Sequence, residues 1–340
     1  MDVVYSSSDA YSEIAGVSIV SLLENNVEEH DINIYIIDNG ISETNKKNLS
    51  NIVRAYSKNI IFINGFDIEK KINTKINVGR WHISTFYRLF LDSILPKEIE
   101  KVIYIDCDTL VLGSLSKIWN MPMDGNYVMG ADDCRGSAYR DNIGLEKKQI
   151  YINNGFILID LQSWRDNNIE KLYQDFIKKY NGDITYMDQG VLNGVLGNIH
   201  KIGLLPVNYN VQTVFFDFTY KQISTYRRAV WKYSEKEIKN GITDPIIIHF
   251  TSCFLSGTRP WNKENNHPFR PSYLQYKAMT PWKNDVLWDD NRKKSKKIMT
   301  KMCKMLPISF VVCCISIIHS KIYPFVRNMK NMINMKKIHG

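Results

Sequence analysis

The run Tyr104-Ile105-Asp106-Cys107-Asp108 closes the most strand-like stretch of the chain. Two carboxylates one residue apart can approach a single cation if the backbone bends as it leaves a strand. Hard divalent ions such as Mg²⁺ and Mn²⁺ favour carboxylate oxygens. Such an ion offsets the charge that develops on a departing diphosphate. A lone Asp-x-Asp is also an ordinary solvated strand end, so other groups must join it. Ile248-His249-Phe250 ends a second apolar stretch, and a neutral imidazole there could complete a metal shell. By itself, such a histidine reads as structural. In the following Gly257-Thr258-Arg259-Pro260-Trp261, the glycine lets backbone approach phosphate oxygens and the arginine can grip them in a fork.

Two further groups suit a hydroxyl-rich ligand. Asn153-Asn154-Gly155 and Tyr186-Met187-Asp188-Gln189 combine amides with a carboxylate, and hydroxyls both donate and accept. Asp188 also reads as a helix N-cap, a role compatible with ligand contact. Ser6-Ser7-Ser8-Asp9-Ala10-Tyr11 joins a first strand to a first helix. Polar groups and helix amides there could hold a nucleoside, with Tyr11 stacked on its base. A plain strand-to-helix turn fits those residues equally well.

The elements that must position these groups alternate in the first half. Residues 3–6, 33–38, 59–64 and 101–106 read as strands. Residues 10–25, 43–56 and 82–93 read as helices, with Ser42 as an N-cap. That order predicts a mostly parallel sheet wrapped by helices, and segment 101–106, apolar on both faces, is its central strand. In an open parallel sheet, ligands bind beyond the carboxyl ends of the strands. The second half is mixed: strands over 127–132 and 156–160, helices over 161–180 and 187–196, and a late strand over 245–250.

Of 44 Lys and Arg, 12 fall in the last fifty residues, where no acid follows Asp290; the first 290 residues hold 32 basic and 35 acidic groups, a balance of −3. A nucleic-acid-binding body would carry its positive charge in the folded part, so no nucleic-acid partner is expected. The boundary therefore divides a domain at 1–290 from a tail at 291–340. The tail opens on Arg292-Lys293-Lys294 and contains an uncharged run over 305–318. About 14 residues are short for a span of ~20, and positive charge flanks both ends. The expected role is a monotopic or re-entrant anchor on anionic lipid. The alternatives are a tilted span and a packed pair of helices. The six cysteines show no CxxC pair, which fits a reducing compartment. No basic segment precedes an apolar run at Met1, so no secretory signal is expected. Together these features predict a peripheral or monotopic protein on the cytoplasmic face of the cell membrane.

Taken in order, the motifs resemble glycosyltransferase family 8, in the pattern of its bacterial lipopolysaccharide galactosyl- and glucosyltransferases. The resemblance covers roughly residues 1–265 and also uses His82-Ile83-Ser84 through Arg88 and Leu192-Asn193-Gly194. It implies a GT-A fold, a UDP-hexose donor, Mn²⁺ (or Mg²⁺) dependence, retention of anomeric configuration, and a glycan or glycolipid acceptor. It matches Asp106, Asp108 and His249 to the metal ligands and Tyr11 to the uracil-stacking aromatic. Arg88 matches a donor-contacting arginine; Asn153, Asp188 and Gln189 match sugar-contacting positions; His82 matches a position near both substrates. Ser6, Asp9, Cys107, Asn154 and Gly257 complete the implied donor site, with Asp132 or Asp133 as a further carboxylate. Arg259 stands where the family usually has a lysine, keeping charge but not geometry. The turn at Ser8-Asp9-Ala10-Tyr11 departs from the usual Asp-Asp-Asn-Tyr, and the stretch from His249 to Gly257 is longer than usual. The implied mechanism is front-face attack; the rival is double displacement, for which Asp188 would serve better than Gln189. A nucleotidyltransferase is the competing enzyme class, and a catalytically dead sugar-nucleotide binder is the third reading.

Overall fold

The structure is a computed structural model that describes residues 1–79 and 82–329. Ten strands are present among those residues: β1 (Asp2–Ser8), β2 (Asn33–Asn39), β3 (Asn59–Asn64), β4 (Lys101–Ile105), β5 (Thr109–Val111), β6 (Val128–Asp132), β7 (Ile152–Asp160), β8 (Ile202–Leu204), β9 (Val211–Gln212) and β10 (Ile247–His249). Seven form one sheet in the order β3-β2-β1-β4-β7-β6-β8; β5, β10 and β9 form a second. β3, β2, β1 and β4 run parallel, as the alternation of strand and helix predicts. β7 is antiparallel to both β4 and β6.

Side-chain alternation divides the core. In β4, Ile103 and Ile105 enter one apolar cluster with the helix Ser12–Glu24, while Val102 and Tyr104 enter the other with Phe86, Phe90 and Trp164. All of these strand side chains are buried, and each aliphatic one contributes ~1.5–3 kcal/mol by leaving water. A sheet buried on both faces is what a central strand without polar alternation demands.

Local chemistry sets the element ends. Ser42 accepts from the Asn45 amide and starts the helix Glu43–Ala55. The expected helix over 161–180 is instead two, Leu161–Asp166 and Ile169–Lys179, because Asn168 adopts a left-handed conformation (φ 51°). Asparagine tolerates that region better than most residues with a side chain. Segment 82–93 is helical but tighter than expected: a 3₁₀ run over Ile83–Phe90, capped by the His82 ring, passes into one α turn.

The tail does not hang free of the domain. A helix at Lys294–Met305 is braced where Thr300 donates to the Phe254 carbonyl at 3.0 Å. The next helix runs from Ile308 to Met329, 22 residues, with a π turn over Ile318–Ile322. By length and composition, it could cross a membrane. The uncharged run was expected to be too short because it stops before His319 and Lys321, yet the helix continues through both. Val311, Val312 and Ser316 face the domain, and Arg327 grips Asp183 (2.7 Å) and Thr185 (3.2 Å). Residues 330–340 of the expected tail lie outside the described part.

Candidate active site

β4 ends at Ile105, and the chain turns through Asp106-Cys107-Asp108 into β5, which belongs to the other sheet. There, β10 pairs antiparallel with β5 and sets His249 opposite Thr109. The Phe250 amide donates to the Asp108 carbonyl at 2.9 Å. Strand pairing alone thus brings residue 249 to residues 106 and 108. His249 Nε2 lies 3.2 Å from Asp108 Oδ1 and 3.9 Å from Asp106 Oδ2. One ligand atom from each of the three residues falls within 4.8 Å of the other two.

The antiparallel β7 explains why a motif at a strand's start meets one at another strand's end. Ile105 pairs with Phe156, and the Asp106 amide donates to the Gly155 carbonyl at 2.7 Å. Asn153-Asn154-Gly155 therefore lies inside β7, beside the aspartates. Gly155 is needed for space: a Cβ there would sit 2.1 Å from His249 Cε1. The imidazole occupies the room a side chain would take.

A directional chain of hydrogen bonds runs along the floor. Asp133 can only accept, so Gln189 Nε2 donates to it at 2.8 Å. Gln189 Oε1 then accepts from Asn153 Nδ2 (3.2 Å), and Asn153 Oδ1 accepts from Asn210 Nδ2 (2.9 Å) and the Gly155 amide (3.0 Å). Asn210 Oδ1 is left to accept from His249 Nδ1 at 3.1 Å. The proton sits on Nδ1, and Nε2 presents a lone pair to two carboxylates. That arrangement requires a proton or a cation between them, so an O,O,N donor set of this kind fits Mn²⁺ or Mg²⁺.

Arginines balance the remaining charge. Arg88 donates to Asp106 Oδ1 (2.7 Å), lies 3.0 Å from Asp188 Oδ2, bonds the Asn154 carbonyl, and stacks over the Tyr104 ring at 4.3 Å. Arg259 Nη1 lies 2.8 Å from Asp108 Oδ2. Burial opposes ionisation of Asp108, but a positive charge at His249 Nε2, where a proton takes the place of the cation, and the Arg259 guanidinium outweigh it and hold the carboxyl below its ordinary range. Asp188 is pushed up to about 6, mainly by burial, with Arg88 pulling the other way. Asn154 Nδ2 donates to Asp188 at 2.8 Å. Just before Asp188, Tyr186 (φ 61°) and Met187 (φ 50°) both take left-handed backbone, at a cost of ~1–3 kcal/mol each. That strain turns the chain into the helix Met187–Asn198 and aims Asp188 at the cavity.

A cavity of about 280 Å³ is lined by Arg88, Asp106, Asp108, Asn153, Asn154, Asp188, Gln189, His249 and Arg259. The other expected positions do not line that cavity. The Asp9 carboxylate accepts from the Ser42 amide and from Asn45 Nδ2, both at 2.8 Å, and so ties the first turn to a helix start. Cys107 points inward to the Ser6 carbonyl, and burial pushes its thiol up to about 12. His82 caps its own helix and bonds Asn39. Asp132 is buried against Arg140, so of the two neighbouring carboxylates it is Asp133 that joins the floor. Gly257 takes positive φ, and the Arg292 side chain fills the space beside it. Tyr11 is part-exposed and packs edge-on to Trp288 at 6.1 Å. Sequence reasoning missed Asn210, Arg135 and Arg227; no motif marks them, and only the tertiary fold brings them in.

A family model described as Glycosyl transferase family 8 matches residues 2–265. The chain belongs to that family. Family 8 membership makes it a glycosyltransferase and places its paired sheets in the GT-A fold. General stress protein A of Bacillus subtilis is 29% identical over 290 residues, covering 83% of this chain and 94% of that protein. A putative glycosyltransferase of Haemophilus influenzae is 34% identical over 199 residues, covering 57% of this chain and 59% of that one. A lipopolysaccharide 1,2-glucosyltransferase of Escherichia coli is 23% identical over 83% of this chain and 79% of its own length. Among solved structures, the galactosyltransferase LgtC aligns with a TM-score of 0.70 at 21% identity, covering 88% of this chain and all of that one.

Proposed function

We propose that this family 8 enzyme moves a hexose, galactose or glucose, from a UDP-hexose to a hydroxyl of a surface glycan or glycolipid, with retention at the anomeric carbon. The observation that carries this reading is the meeting of Asp106, Asp108 and His249 at one end of a polar cavity, with His249 Nε2 bare and 3.2 Å from a carboxylate oxygen. Relatives named for transfer of glucose or galactose to lipopolysaccharide support the donor and acceptor classes. A cation held by those three residues, Mn²⁺ in our reading, would supply charge neutralisation to the leaving diphosphate.

The chain's own groups do the rest. Arg259 offers a second positive group to the diphosphate. Asp188, fixed by Arg88 and Asn154, accepts hydrogen bonds from the hexose. Gln189 has both ends of its amide engaged by Asn153 and Asp133, so it shapes the floor and is not free to attack. We favour attack by the acceptor hydroxyl from the face that UDP leaves, its proton passing to a donor phosphate oxygen. A covalent glycosyl adduct trapped on Asp188 would overturn that route.

We read the tail as an interfacial anchor on the cytoplasmic face of the membrane. Phe310, Ile317, Ile318, Ile322, Phe325 and Val326 form an exposed stripe on the helix whose opposite face is docked, and basic residues surround it. The deciding experiment is UDP release from UDP-galactose and UDP-glucose, without acceptor, with and without Mn²⁺. Asp106→Asn and Asp108→Asn should each cut the rate by at least ~100-fold. Undiminished turnover in EDTA would refute the metal role.

A further inference from the structure

The cavity has a second charged end, separate from the cluster of Asp106, Asp108 and His249. Arg135 and Arg227 line it with Tyr186 and Tyr226. Both guanidinium groups converge on Asp133, 2.7 Å from Arg135 Nε and 3.5 Å from Arg227 Nη1. Asp133 is buried, yet these two arginines hold it ionised. Two positive charges therefore face one negative charge. Arg135 also donates to the Tyr186 hydroxyl at 2.8 Å and lies 4.4 Å over that ring. Arg227 is nine-tenths buried; it donates to the Asp133 carbonyl at 2.8 Å, while its Nε has no partner among the described residues. The floor chain places Gln189, Asn153 and Asn210 between this end and His249.

One guanidinium suffices to balance one carboxylate. A second, taken out of water with part of its hydrogen-bonding edge unused, is a net cost unless another anion arrives. We propose that Arg135 and Arg227 form an anion subsite for the acceptor, which carries one negative charge, a carboxylate or a phosphodiester, on or beside the sugar that presents the attacking hydroxyl. This rests on the hexosyltransferase reading above. Counted over Arg135, Arg227 and Asp133, a monoanion closes the balance, whereas a phosphate monoester, nearer −2, overshoots it. The rings of Tyr186 and Tyr226 supply flat walls for sugar faces. If the arginines only braced Asp133, acceptor charge would make no difference to the rate.

The test uses the full-length protein and whichever UDP-hexose gives acceptor-free UDP release, so the enzyme reading is checked first and separately. Three matched acceptors are compared: an alkyl glucoside, the corresponding glucuronide, and the glucoside bearing a methyl phosphodiester at C6. The preferred anionic acceptor should exceed the neutral one in kcat/KM by about tenfold to a hundredfold, the range of a charge-assisted pair. The two anionic arms separate carboxylate from phosphodiester. The preference should shrink with rising salt and fall toward unity in Arg227→Gln. If that variant fails to fold, the wild-type comparison and the salt series still decide. An enzyme that releases UDP yet uses the neutral glucoside as well as both charged acceptors overturns the proposal. So does an Arg227→Gln variant that keeps the full preference. Failure to release UDP from any donor refutes the underlying enzyme reading instead.

Discussion

Replacing Gly155 with alanine tests the site through one methyl group. The new Cβ would lie 2.1 Å from His249 Cε1, 2.5 Å from Nδ1 and 2.9 Å from Nε2, where ordinary contact begins at 3.4 Å. β7 cannot retreat, because it is bonded to β4 on one side and β6 on the other. The ring must therefore withdraw by about 1.3 Å, against a tolerance in metal–ligand distance of ~0.2 Å. Loss of a supporting group alone costs ~10–100-fold in metal affinity, so displacing a ligand should cost at least ~100-fold. Overpacking should also lower stability by ~1–3 kcal/mol. Mn²⁺ binding to the purified variant, followed by the electron paramagnetic resonance of free Mn²⁺, reads the affinity without requiring turnover. Thermal melting reads the packing cost. An alanine variant that binds Mn²⁺ as tightly as the wild type would show that His249 does not hold the ion as argued.

Other perturbations bear on separate parts of the molecule. Asn210→Leu removes the acceptor for His249 Nδ1 and should weaken Mn²⁺ binding ~10–100-fold while leaving the fold intact; unchanged affinity would discount the floor chain. Burial pushes the Asp132 carboxyl up to about 7, with Arg140 pulling against it. The stability from this group is complete below the unfolded value of ~3.9 and is lost as pH rises through 7. The Tm of Asp132→Asn should therefore gain on the wild type between pH 5 and pH 8, and a constant gap would refute this. Changing Phe310, Ile317 and Phe325, all exposed, to glutamate should abolish flotation with anionic vesicles without altering Tm; continued flotation would remove the stripe from the anchor.

Asp106 and Asp108 were legible because a strand apolar on both faces must be central, and acids at its end must face the ligand edge. From the residues alone His249 was legible as a strand-end imidazole that could join them, and the family resemblance matched it to a metal ligand. Its distance to them depends on β5 and β10 pairing across a second sheet, which no spacing within the chain encodes. Gly155 looked like part of a polar motif, whereas its function is steric, and a missing Cβ has no pattern until its neighbour is known. Asp9 and His82 carry chemistry-bearing side chains, yet backbone amides claim both: the distant Ser42 amide for Asp9 and the nearby Ser84 amide for His82. The left-handed Asn168 that splits the helix after β7 follows Asn167, a pair that periodicity over 161–180 outvoted. Arg135 and Arg227 are more than ninety residues apart, and only the fold sets them on one carboxylate.

In water a neutral imidazole exchanges its proton freely between two nitrogens, so only one of its two tautomers offers a given nitrogen to a cation. Here Asp133, more than a hundred residues away in sequence, makes that selection during folding. Because a carboxylate has no proton to give, each amide in turn has its orientation dictated, and the last of them stations the hydrogen on the far side of His249. The basic lone pair is aimed in advance, so a cation held at this site would meet a coordination sphere whose wiring was completed when the chain folded.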